Sequence, residues 1–151
     1  MTDESSHRRT VCPPLMQADE FAPWEAELVL RGFEKTEAVS ESDSFDNRFV
    51  IMARPDLRLR YVRDRSQGGI EVAAPGAPDE WFDAAVVLEM FGKLSSKEPT
   101  TMEQEMLQLV QSFDAIGTAF HKRNWQSTRR RLKAIEAGRA RALFGDLLGR
   151  S

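Results

Sequence analysis

Arginine is the residue type that the central part of this sequence offers most clearly for binding chemistry. Arg58 and Arg60 alternate with apolar residues, and a strand puts side chains two positions apart on one face. Guanidinium groups bind carboxylates and phosphates through paired N–H donors, so one interpretation is a recognition face. The other is that the arginine stems cover the sheet and pair across strands with Glu71, Asp56 or Asp64. The candidate binding residues are Arg48, Arg58, Arg60, Arg63 and Arg65.

A second basic surface is predicted on the last helix, which the sequence places from Trp125 towards Leu148. Arg129, Arg130 and Lys133 lie there on faces away from the apolar residues. Such a helix face can contact a nucleic-acid backbone. The sequence has no helix-turn-helix signature and is otherwise acidic. A solvated face, or a contact with the acidic half of the same fold or of a second copy, is therefore the favoured interpretation.

No group of residues predicts catalysis. The sequence has two histidines, His7 and His121, and one cysteine, Cys12, which lies beside two prolines. A nucleophilic site needs a base and an orienting group within reach of the nucleophile, and these positions suggest no such set. The zinc, calcium and phosphate-binding motifs are all missing from the sequence. We therefore expect a non-enzymatic protein with no metal site and no cofactor.

An antiparallel meander is predicted to position the arginines. Apolar residues recur at every second position in residues 48–74, with a turn at Pro55-Asp56, and the first strand, residues 49–53, is apolar on both faces. The stretch Gln67–Gly69 is interpreted as a tight hairpin turn, because glycine tolerates positive φ. Ala73–Pro78, with two prolines and a glycine, is predicted to end the sheet. With a further strand near residues 36–40, the sheet would have three or four strands.

The remaining apolar patterns predict helices. The first covers residues 19–31, and a buried helix, Trp81–Phe91, begins after the acidic pair Asp79-Glu80. Thr100 and Glu103 are interpreted as a capping box that opens the next helix. The corner at residues 121–124 is short, so the last two helices are expected to form an antiparallel hairpin. Their apolar sides are Met102, Met106, Leu109, Phe113, Ile116 and Phe120 on one, and Leu132, Ile135, Leu143 and Leu147 on the other.

Length and composition indicate one globular domain. The chain has 151 residues, 41% hydrophobic and 30% charged. Residues 1–17 are predicted to be a disordered or loosely docked tail and residues 18–151 a single α+β domain. The net charge of −3 is unevenly distributed, since the acidic residues are concentrated in the first hundred positions. The absence of a secretory signal, of a long apolar run and of a cysteine pair predicts a cytoplasmic protein without a membrane partner.

The order of these elements resembles a known class of protein. The order of a helix, a meander ending in Arg63-Asp64-Arg65, a Trp-led helix (Glu80-Trp81-Phe82-Asp83) and a helical hairpin resembles that of small bacterial α+β proteins of the immunity type. Those proteins accompany polymorphic or contact-dependent toxins and neutralise one cognate toxin by covering its active site or substrate channel. The resemblance implies a protein-binding function with a toxin as partner. The alternatives are a nucleic-acid-associated protein and, as an assembly, a homodimer.

Overall fold

The computed structural model describes residues 20–41, 47–64, 67–94 and 100–149, so the predicted tail (residues 1–17) and Arg65 lie outside the described residues. In chain order, the elements are helix α1 (Ala22–Leu30), strands β1 (Glu34–Glu41), β2 (Asn47–Arg54), β3 (Leu57–Asp64), β4 (Gln67–Ala74) and β5 (Ala77–Asp83), and helices α2 (Ala84–Met90), α3 (Met102–Ala119) and α4 (Trp125–Gly149). The fold class is α+β, as predicted.

The sheet has five strands rather than three or four. Each strand pairs antiparallel with the next one along the chain, in the order β1-β2-β3-β4-β5. The prediction that Ala73–Pro78 ends the sheet is wrong. Pro75 and Gly76 instead form the turn between β4 and β5, with Ala74 opposite Ala77. Pro78 is tolerated because β5 is an edge strand, whose open side needs no N–H donor.

The additional strand shortens the predicted helix Trp81–Phe91. Trp81 and Phe82 belong to β5, and helix α2 begins only at Ala84. The acidic pair Asp79-Glu80 therefore lies in a strand and not at a helix start, which corrects that prediction. Over so few residues, an apolar run fits a buried helix and a strand equally well. Helix α2 is buried, as expected.

The glycine pair at the start of β4 is not a turn. Strand β4 begins at Gln67, Gly68 pairs with Arg63, and neither Gly68 nor Gly69 has a positive φ. Gly68 is needed for space. A Cβ at Gly68 would collide with Glu20 Oε2 and would lie 3.1 Å from the ring of Tyr61.

The cap of helix α3 lies one residue later than predicted. Thr101, not Thr100, is the N-cap, and its hydroxyl accepts the backbone N–H of Gln104 at 3.1 Å. The side chain of Gln104 in turn accepts the backbone N–H of Thr101 at 2.9 Å, which completes the capping box. Thr100 instead donates from its hydroxyl to Glu105 at 2.7 Å.

The helices lie on one face of the sheet, and the core forms between them. The predicted apolar side of α3 is confirmed: five of its six residues are buried and Met102 is partly buried. The apolar residues that alternate with Arg58 and Arg60 in β3 point into this core, since Leu57, Leu59 and Tyr61 are at most 1% exposed. No helix within the described part of the chain is long and apolar enough to cross a membrane.

Two leucines of the helices are exposed, and for Leu143 this corrects the predicted apolar side of α4. In α1, Leu28 is buried but Leu30 is 81% exposed. In α4, Leu132 is buried, yet Leu143 is 64% exposed. Helix α4 meets α3 at the corner, where the Thr128 hydroxyl donates to the carbonyl of Ala119 at 2.7 Å. It then packs against α2, and its apolar side continues past the end of that shorter helix.

Candidate binding face

The face of the sheet opposite the helices is the candidate functional site, and we call it the outer face. Strand alternation and the pairing register determine which side chains it carries. None of the described helices covers it. Its members are Glu34, Glu37, Phe49, Ile51, Ala53, Arg58, Arg60, Val62, Asp64, Gly69, Glu71, Ala73, Trp81 and Asp83.

Arg58 lies between two small residues on the outer face. Its neighbours across the strands are Ala53 on β2 and Ala73 on β4, whose small side chains leave room around it. The guanidinium donates from Nη1 to the carbonyl of Pro78 at 2.6 Å and lies 5.2 Å from the ring centre of Trp81. None of the described carboxylates pairs with Arg58. It therefore presents a positive charge beside an aromatic surface.

Arg60 is neutralised by contrast. Its Nε donates to Glu71 at 2.7 Å, and its guanidinium lies 4.5 Å from the ring centre of Trp81. The indole is therefore close to two guanidinium groups, an arrangement that fixes its position through cation–π attraction. Asp83 pairs with Glu71 across β4 and β5. Desolvation and the neighbouring Glu71 carboxylate raise the pKa of Asp83 above its ordinary value.

Towards its other end the outer face carries a small apolar group, and the exposed Asp64 follows it at the end of β3. Phe49 and Val62 pair across β2 and β3, and Gly69 lies opposite Val62 on β4. Both side chains are partly exposed. Aromatic and branched side chains beside a glycine give a low apolar surface suited to protein contact.

The structure divides the predicted arginine site between two faces. Arg58 and Arg60 are on the outer face. Arg48 of β2 and Arg63 of β3 lie opposite each other in the strand register, on the helix-facing side. Arg48 donates to Glu25 of α1 at 3.1 Å. Arg63 lies near Tyr61, where burial, and secondly the Glu20 carboxylate, raise the phenol pKa to about 12. The expected cross-strand pairing is confirmed for Arg60 with Glu71.

The second predicted surface, on α4, is partly neutralised from within the fold. Arg129 Nε donates to both carboxylate oxygens of Glu80, at 2.8 and 2.9 Å. Lys133 Nζ lies 3.5 Å from the same carboxylate, while Arg130 is exposed. The sequence did not connect Glu80 with this helix, because it assigned Glu80 to a helix start instead of a strand.

Glu80 should contribute a pH-dependent part of the stability. Hydrogen bonding from Arg129 lowers the pKa of Glu80. The contribution is therefore present above the ordinary glutamate pKa and is lost as the pH falls through the lowered value. We expect Glu80→Gln to reduce the free energy of unfolding modestly at pH 7, because the Glu80–Arg129 pair is partly solvated. The decrease in the free energy of unfolding between pH 7 and pH 3 should be smaller in this variant than in the wild type. Urea denaturation at both pH values measures this. Arg129→Gln should give a similar loss, and an additive double variant would contradict the coupling.

The described residues that could take part in catalysis or metal binding are His121 and the carboxylates near it. His121 lies at the corner between α3 and α4, and its Nδ1 accepts the backbone N–H of Arg123 at 3.1 Å. It lines an open groove of about 610 Å³ together with Asp56 and Asp114. Among residues 20–41, 47–64, 67–94 and 100–149, no three His, Cys, Asp or Glu residues are grouped so as to hold a metal ion. That the chain is not an enzyme stays a prediction.

Comparison with known proteins gives no match: no family model, no curated protein and no solved structure is similar to this chain.

Proposed function

We propose that this chain is a protein-binding module that uses its outer face. The observation that carries the proposal is the position of Trp81 beside Arg58, which none of the described carboxylates neutralises, on a sheet face that the described helices leave open. Tryptophan and arginine are the residue types most enriched at the centres of protein interfaces. Arg60, two residues after Arg58 in β3, also contacts the indole, so the aromatic surface is already ordered before a partner binds.

The size of the outer face suits this function. Five strands spaced about 4.8 Å apart, each with seven or eight residues rising about 3.3 Å, give a surface of roughly 20 by 25 Å. With its rim, such a surface approaches the roughly 800 Å² per partner of a standard interface. The face therefore has room for one globular partner.

The most concrete form of the proposal is toxin neutralisation, which the resemblance to immunity-type proteins implies. A partner protein seated on the outer face would have its own surface covered, as inhibition by obstruction requires. The candidate partner is the protein encoded beside the gene of this chain. Growth protection on co-expression, together with direct binding of the purified pair, is the expected result.

The decisive measurement is the affinity of variants for that neighbouring protein. Arg58→Ala and Trp81→Ala should each weaken binding by about 30-fold or more, because hot-spot residues contribute about 2 kcal/mol or more. Arg130→Ala, an exposed arginine on α4, is the matched control and should bind as the wild type does. Thermal melting shows whether each variant is folded. Wild-type affinity in folded Arg58→Ala and Trp81→Ala variants would refute the proposal.

Nucleic-acid binding through α4 is the competing outcome. Titration with labelled DNA and RNA near 0.15 M salt should show only weak association, because Arg129 and Lys133 already pair with Glu80. Submicromolar binding that disappears when Arg129, Arg130 and Lys133 are replaced by Gln would replace the protein-binding proposal.

A further inference from the structure

Carboxylates from three elements surround Arg139 of helix α4. Arg139 Nε donates to Glu89 of α2 at 2.8 Å. The same guanidinium acts on Asp83, at the end of β5, and on Glu105, in the first turn of α3, and favours their ionised forms. We call Asp83, Glu89, Glu105 and Arg139 the Arg139 cluster. It joins the last strand of the sheet to the three helices that follow.

The Arg139 cluster carries more negative than positive charge. Its three carboxylates share one guanidinium, and Glu71 of β4 lies directly opposite Asp83 in the strand register. Glu71 itself pairs with Arg60 of β3. The hydroxyl of Thr100 donates to Glu105 at 2.7 Å, which adds a hydrogen bond but no charge. The fold therefore brings together more negative charge than Arg139 neutralises.

Proton uptake relieves this excess. Desolvation raises the pKa of Glu105 above its ordinary value; the hydrogen bond from Thr100 opposes the rise, and the Asp83 carboxylate adds to it. Desolvation and then Glu71 raise the pKa of Asp83, although part of this side chain remains in contact with solvent. A carboxyl group with a raised pKa binds its proton more tightly in the folded chain than in the unfolded chain. Its charge therefore lowers the stability at neutral pH, and this cost disappears as the pH falls through the raised pKa towards the ordinary value.

Arg139 links these protons to the position of α4. Because Arg139 favours the ionised carboxylates, protonation of the carboxylates must in turn weaken the attraction that holds Arg139. Beyond Arg139, every described side chain from Ala140 to Gly145 is exposed. We call residues 136–149 the α4 end. We propose that the Arg139 cluster is a pH-sensitive contact that holds the α4 end against α2 at neutral pH and loosens it in mild acid, when Asp83 and Glu105 take up protons.

The neighbouring basic residues of α4 do not duplicate this contact. Lys133 pairs with Glu80. Arg131 donates to a backbone carbonyl of α2 at 3.4 Å. Neither residue contributes to the raised pKa values in the cluster, whereas Arg139 acts on both carboxyl groups. Their titration therefore reports on Arg139.

This inference goes beyond the proposed function, because it concerns the chain alone. Asp83 lies on the outer face, but each test below uses the isolated protein. Partner binding can therefore fail while the pH-sensitive contact holds, and the reverse.

The first test is an NMR titration of the side-chain carboxyl carbons. In the wild type, Asp83 and Glu105 should titrate at a higher pH than ordinary aspartate and glutamate. Arg139→Gln should move both midpoints higher still, because it removes a favourable charge, whereas Arg139→Lys should move them less. Arg130→Gln, at an exposed arginine of the same helix, is the matched control and should leave both midpoints unchanged. Unchanged midpoints in a folded Arg139→Gln variant would overturn the inference.

The second test separates the stability of the whole fold from the protection of the α4 end. The double variant Asp83→Asn/Glu105→Gln lacks the two costly charges, so at neutral pH its urea midpoint should be higher than that of the wild type. Its α4-end amides should nevertheless exchange hydrogen faster, because Arg139 retains Glu89 but loses two carboxylates. The wild type in mild acid, corrected for the intrinsic exchange rate, should resemble this variant. A double variant whose α4 end is as protected as that of the wild type would refute the proposed contact.

Discussion

Phe113→Ala should lower the free energy of unfolding by about 3–5 kcal/mol, the usual result of removing a large aromatic side chain from a core. Phe113 is 3% exposed, and its ring centre lies 5.1 Å from that of Phe33. Arg54 lies 5.2 Å above the same ring, so the substitution also removes an attraction for a guanidinium that is mostly shielded from water. Chemical denaturation monitored by circular dichroism gives the free energy.

Leu107→Ala is the matched control on the same helix, because Leu107 is 48% exposed. It should cost less than about 1 kcal/mol, since little apolar area is removed from the core. A comparably small loss in Phe113→Ala would mean that the apolar side of α3 is not part of the folding core.

The sequence predicted this helix well for a physical reason. Its apolar positions repeat over 18 residues, long enough that only a helix brings them to one side. Strand β5 has seven residues and contains Pro78, so its pattern does not distinguish a strand from a helix. Only the pairing of β5 with β4, a contact outside the local sequence, decides between them.

The binding site was predictable in part. Alternation correctly put Arg58 and Arg60 together. Arg63 follows Arg60 by three positions, and this odd spacing already places it on the other face of a continuous strand. Trp81 was not predictable as a site residue, because its position beside Arg58 depends on the fifth strand and on a register shift between β4 and β5. Nor could the sequence indicate that Glu80 would neutralise Arg129.

The second large effect on the free energy of unfolding is expected from two separate glycine-to-alanine variants, Gly117→Ala in α3 and Gly138→Ala in α4. Glycine inside a helix is less favourable than alanine by about 1 kcal/mol, so propensity alone predicts that both variants gain stability. Gly138 has room: the nearest atom to an added Cβ would be Arg141 Nη2 at 4.0 Å. Gly138→Ala should therefore be more stable by about 0.5–1 kcal/mol.

Gly117 should respond in the opposite direction, because it is buried against the turn between β2 and β3. An added Cβ would collide with Asp56 Oδ2 and lie 2.9 Å from Asp56 Cγ. Asp56 cannot rotate away freely, since its carboxylate holds Arg54 through hydrogen bonds of 2.6 and 3.2 Å. We expect Gly117→Ala to lose about 1–3 kcal/mol, as overpacked sites do. Urea denaturation of both variants checks the signs, and a gain in stability for Gly117→Ala would show that α3 does not pack on this turn as closely as described.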